Sequence, residues 1–116
     1  MGRPLSQQER AVVLRMIELS PTERRESLRS AQAVATANPG CACGCGSFDL
    51  EYSGEAARPR GSVVAKGFVH REPLTPIGVL LWVSGDRPQG IEFYDMERRD
   101  GDAPLPFPEA GRIRPK

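Results

Sequence analysis

Three cysteines fall within five positions, Cys41, Cys43 and Cys45, alternating with Ala42 and Gly44 and bounded by Gly40 and Gly46. Thiolates at i, i+2 and i+4 of a looped segment can converge on one soft ion, and the glycines permit the turns this needs. Zinc takes four ligands. The cysteines supply three, so the fourth would come from His70, from Asp49, from water or from another subunit. The two separated ligand pairs of the usual zinc signature are absent, and cuprous ion would also suit clustered thiolates. The C-x-x-C spacing of oxidoreductases is missing as well, and a disulfide across C-x-C would be strained. The plain alternative is a set of small residues in a tight glycine-rich turn leading into a strand. Metal binding by Cys41, Cys43, Cys45 and His70, with zinc or copper as the ion, therefore stands beside a structural role. No other cofactor is expected.

Other chemistry finds little to work with. A triad or a Cys–His dyad would have to use His70, the single histidine, which sits at the end of a strand pattern. Phosphate-loop, H-E-x-x-H and G-x-S-x-G motifs are absent. Asp100, Asp102 and Glu109 do not complete a calcium loop. The chain reads as a non-enzyme.

Charge excludes a basic nucleic-acid reader. Across 116 residues, 16 Lys+Arg face 15 Asp+Glu, for a net charge of +1, and both halves of the chain are balanced. Arg112-Ile113-Arg114-Pro115-Lys116 reads as a solvated tail. The longest strongly apolar stretch, Ile77 to Val83, is far short of the roughly 20 residues a spanning helix needs. An odd cysteine count without a secretory apolar run points to a reducing cytoplasm. Arginine far in excess of lysine, with abundant Ala, Gly and Pro, suggests a GC-rich bacterial source.

The positioning elements follow from periodicity. Ser6-Gln7-Gln8-Glu9 is a capping box opening a helix whose apolar residues are Val12, Val13, Met16, Ile17 and Leu19. Ser20-Pro21-Thr22-Glu23 starts a second helix, expected to run to about Ala37 with a thin stripe of Leu28, Ala31, Val34 and Ala35, and to stop at Asn38-Pro39-Gly40. The period then changes to two. Strands are expected over Ser47–Ser53, Ser62–His70, Ile77–Ser84 and Ile91–Met96, joined by short loops into an antiparallel meander. Gly67 suggests a bulge or a close backbone approach. The expectation is an α+β fold, with two N-terminal helices packed on one face of a four-stranded antiparallel sheet. Residues 1–103 would form a single domain and 104–116 a proline-rich tail.

The third of these strands carries the sharpest inference. Ile77, Val79, Leu81 and Val83 point to one face, and Leu80 and Trp82 to the other. Such a strand is buried on both faces, yet two helices cover only one. Either the tail around Leu105 and Phe107 or a second copy of the chain would shield Leu80 and Trp82.

Arg3-Pro4-Leu5-Ser6-x-x-Glu9 opening a helix, the Cys/Gly-rich turn running into Ser47-x-Asp49, and Gly90-Ile91-Glu92-Phe93-Tyr94 followed by Leu105-Pro106-Phe107-Pro108 together resemble a family of small bacterial proteins of unknown function. The resemblance implies a cytoplasmic α+β domain with no assigned activity and no catalytic residues to carry over. The leading expectation is a homodimeric interaction or accessory protein, without nucleic-acid or membrane partners. Metal binding or sensing is one alternative, and neutralising a bacterial toxin as an immunity-type protein is another.

Overall fold

A computed structural model describes residues 2–39, 46–54, 61–71, 75–95 and 107–116. Among them are two α-helices, α1 (Gln7–Glu18) and α2 (Thr22–Gln32). Seven strands follow the order β1 (Arg3–Pro4), β2 (Thr36–Pro39), β3 (Phe48–Glu51), β4 (Ser62–Val69), β5 (Ile77–Ser84), β6 (Arg87–Tyr94) and β7 (Ile113–Pro115). One antiparallel sheet holds them in the spatial order β1-β2-β3-β6-β5-β4-β7.

The α+β class and the antiparallel sheet are as expected, but the sheet has seven strands rather than four. The three additional strands are two to four residues long, and none carries large apolar residues in alternation with polar ones. The order also departs from a simple meander. β4, β5 and β6 are joined consecutively, but β3 pairs with β6 rather than with β4. Phe48 lies opposite Ile91 and Asp49 opposite Gly90.

The capping box at α1 is as expected. Glu9 N–H donates to Ser6 Oγ at 3.0 Å and Ser6 N–H donates to Glu9 Oε1 at 2.8 Å. The same carboxylate takes both Arg3 guanidinium nitrogens at 2.7 Å, which ties β1 to the helix start. Hydrogen bonding from Arg3 holds the Glu9 carboxyl below its ordinary value despite its partial burial.

The second helix differs from expectation at both ends. Pro21, not Ser20, occupies the cap position. Ser20 is buried, and its hydroxyl donates instead to the Met16 carbonyl at 3.0 Å, which also accepts from Leu19 N–H at 3.1 Å. The helix stops at Gln32, five residues short of Ala37, because Thr36–Pro39 is drawn into the sheet opposite Phe48–Glu51. Of the expected stripe, Leu28 and Ala35 are buried and Ala31 partly so, but Val34 is 71% exposed in the turn after the helix. Arg10 donates to both the carbonyl and the side-chain oxygen of Gln32, at 2.8 and 2.6 Å, and so fixes where α2 ends against α1.

The core lies between the helices and one sheet face. Val12, Val13, Met16 and Ile17 of α1 and Leu28 of α2 meet Leu50, Val79, Leu81, Val83, Ile91 and Ile113. Each fully buried aliphatic side chain contributes about 1.5–3 kcal/mol relative to exposure. Gly67 is the close approach anticipated from sequence. A side chain there would meet Ile113 Cγ2 at 2.8 Å and the Arg114 carbonyl at 3.0 Å. The irregularity in β4 lies a turn of the pleat earlier, between Val63 and Ala65. Arg112–Lys116 is not a free tail: Ile113 is wholly buried, β7 pairs with β4, and Arg15 donates two hydrogen bonds to the Ile113 carbonyl at 3.1 and 3.0 Å.

Candidate functional site: the open face of the sheet

Strand alternation and register sort the residues between the two faces. Ile77, Val79, Leu81 and Val83 of β5 are buried beneath the helices, whereas Leu80 and Trp82 are only partly buried on the other side. Lys66 lies opposite Leu80, and Leu80 opposite Glu92. One row across this second face therefore reads Lys66, Leu80, Glu92. The neighbouring rows read Arg114, Phe68, Gly78, Tyr94 and Val63, Trp82, Gly90, Asp49, Asn38.

Local contacts fix the aromatic groups. Trp82 Nε1 donates to Glu92 Oε1 at 3.1 Å, a diagonal cross-strand pair that lays the indole along the sheet. The Tyr94 ring lies across Gly78, where any side chain would collide with it. Lys116 Nζ donates to the Tyr94 hydroxyl at 3.1 Å and stands 5.8 Å from the ring centroid. Apolar groups thus occupy the middle of the face: Leu80, Trp82, Phe68 and Val63, with Tyr94 beside them.

Apart from Arg87 on β6, charge is segregated around that centre. Asp49 and Glu51 on β3 and Glu92 on β6 lie to one side, and Lys66 on β4, Arg114 on β7 and Lys116 lie to the other. Asn38 Nδ2 donates to Glu51 on the acidic side. Arg87, at the start of β6, is 5.2 Å from the Tyr52 ring centroid. Tyr52 donates to the Pro88 carbonyl at 2.6 Å, and burial pushes its phenol up to about 12, opposed by the nearby Arg87 charge.

Phe107 was one candidate shield for Leu80 and Trp82. It lies instead on the helix side, 5.4 Å from Phe93 and 6.2 Å from Phe48 between ring centroids. Both of those rings belong to the buried core, and Phe107 packs partly buried against it. Leu105, the other candidate, lies outside the described residues, as do Cys41, Cys43 and Cys45.

The elements flanking the cysteines are described. The strands on either side, β2 and β3, pair antiparallel with Pro39 opposite Phe48, so a strand and not a helix precedes the cysteines. Gly46, ahead of β3, lies beside the aromatic cluster: a side chain on it would be 3.6 Å from Phe93 and 3.7 Å from Phe107. His70 is exposed just beyond β4, three strands across the sheet from β3, roughly 14 Å at about 4.8 Å per strand. Among the described residues, no three His, Cys, Asp or Glu side chains are grouped as metal ligands. No described helix is long and apolar enough to cross a membrane.

Two structural features had no sequence signal strong enough to reveal them. The Arg71–Asp95 ion pair links the residues following β4 and β6, with the Asp95 side chain 3% exposed. The charge segregation depends on the β3–β6 neighbour relation, which hydropathy does not encode. Comparison of the chain with protein-family models, with curated proteins and with solved structures finds no match.

Proposed function

We propose that the protein is a non-enzymatic interaction module whose docking surface is the open sheet face centred on Leu80 and Trp82. The observation that carries this reading is β5 itself, apolar toward both faces while α1 and α2 cover only one. A partly exposed aromatic-aliphatic centre rimmed by charge has the composition of a binding surface, with a desolvated anchor surrounded by polar groups.

Photo-crosslinking tests it. A benzophenone amino acid at position 80 is expected to form protein adducts in cells expressing the chain, and the same group at exposed Arg29 on α2 is not. Equal adduct yields at the two positions would remove the reading.

A second reading, metal binding through Cys41, Cys43 and Cys45, draws support from their place on a connection closed by paired strands. Protein purified without chelator would then carry close to one equivalent of zinc or copper. Less than a tenth of an equivalent of any transition metal, with no uptake on titration, removes it.

A further inference from the structure

We infer that the partner on the open face is a second copy of this chain, related by a two-fold axis that runs along β5. This rests on the reading of that face as a docking surface and adds the occupant and its orientation.

Two sheets packed face to face keep their strands within about 30° of each other and lie roughly 10 Å apart. Two symmetric ways of doing this exist. An axis across the strands at Leu80 sets each strand over its own copy's counterpart, so Glu92 would face Glu92 and Lys66 would face Lys66. An axis along β5 exchanges the two sides of the face. It sets Leu80 over Leu80 and Trp82 over Trp82, and brings Lys66, one strand to one side of Leu80, over Glu92, one strand to the other side. The Lys66–Glu92 contact is made twice over, once on each side of the axis.

The charge distribution therefore favours a second copy as occupant and selects one of the two axes. The face is large enough. Five strands at about 4.8 Å, the central ones eight residues long at about 3.4 Å per residue, offer on the order of 600 Å² per copy, at the lower end of specific interfaces.

Sedimentation velocity on the full chain and on charge-reversed variants tests this. The wild-type chain is expected to be a dimer at 100 µM (a chosen loading of about this value) and to weaken severalfold between low and high salt. Lys66→Glu and Glu92→Lys are each expected to weaken self-association at least tenfold, because each sets like charges opposite one another twice. Mixing the two variants restores the dimer, since the surviving and introduced charges are then complementary in both pairs. Both positions are at the surface, and unchanged thermal melts establish that the variants are folded. Should either fail to fold, the salt series on the wild-type chain decides alone, because an axis across the strands predicts that salt strengthens the dimer.

A wild-type monomer at millimolar concentration overturns the inference, and so does a dimer that the mixed variants fail to restore. Failure here is distinguishable from failure of the docking reading. Adducts from position 80 to a different protein leave that reading standing, whereas adducts to neither kind of partner remove both.

Discussion

Glu9 is used twice at the first turn of α1: its carboxylate accepts from the Ser6 amide, closing the cap, and it receives the Arg3 guanidinium that begins the sheet. Glu9→Ala is expected to lower the unfolding free energy by about 1–2 kcal/mol in urea denaturation, with the exposed Arg3 side of the pair contributing the smaller part. Because the carboxyl is held below its ordinary value, the unfolded chain binds its proton first as pH falls. The stabilisation is full above the ordinary glutamate range near about 4.3 and disappears as pH drops through the lowered folded value. Glu9→Gln, which can still cap the helix, is expected to flatten this acid limb of stability against pH. Tyr52 has the opposite sign. Its phenol is pushed up to about 12 by burial, so stability is full below the ordinary tyrosine value near 10 and falls as pH rises toward 12. Tyr52→Phe is expected to remove that alkaline loss while costing about 1 kcal/mol at neutral pH, through the orphaned Pro88 carbonyl; alkaline melts of the two proteins check it. The Glu9 cap was readable from four adjacent residues. Tyr52 was not, because its burial depends on Pro88 and Arg87, more than thirty positions away in sequence.

Among the elements, α2 shows where local pattern and tertiary demand part company. Ala31 to Ala37 has the composition of a helix continuing, and alanine favours that state intrinsically. The alternative won because Thr36–Pro39 supplies β3 with a partner and Ala37 with a buried place in the core. Val34, left in the turn, carries no packing, and Val34→Asp is expected to shift stability by less than about 0.5 kcal/mol. Within a helix stripe the same change would cost several times more, so a thermal melt separates the two placements. Ser20 was misread for a related reason: a serine before Pro-x-Glu has the form of a cap, but its burial turned the hydroxyl back toward α1. The ion pair between Arg71 and Asp95 holds the ends of β4 and β6 together across β5. Asp95→Ala is expected to cost about 1–3 kcal/mol, since it strands a partly buried guanidinium. A double-mutant cycle with Arg71→Ala should show that the two losses do not add.

The whole molecule is arranged around the late-coming centre of its sheet. Local periodicity exposed the helices, the strands β3 to β6 and the two-sided character of β5, but the partnership of β3 with β6 joins residues about forty positions apart. No local pattern specifies it. The same holds for β1 and β7, whose few residues become strands only because neighbours offer them hydrogen bonds. Ile113 was assigned to a solvated tail, yet it is wholly buried; Ile113→Ala is expected to cost about 2–5 kcal/mol by urea denaturation. The sheet is bordered on one edge by the chain's beginning and on the other by its end, roughly 29 Å apart across six strand spacings. This layout bears on synthesis. A ribosome delivers β1, both helices, β2 and β3 before β5 and β6, the strands they must pack on. Until Arg87–Tyr94 emerges, Val12, Val13, Met16 and Ile17 have no complete sheet centre to cover them. A chain interrupted before β6 therefore exposes an apolar helix face within reach of chaperones.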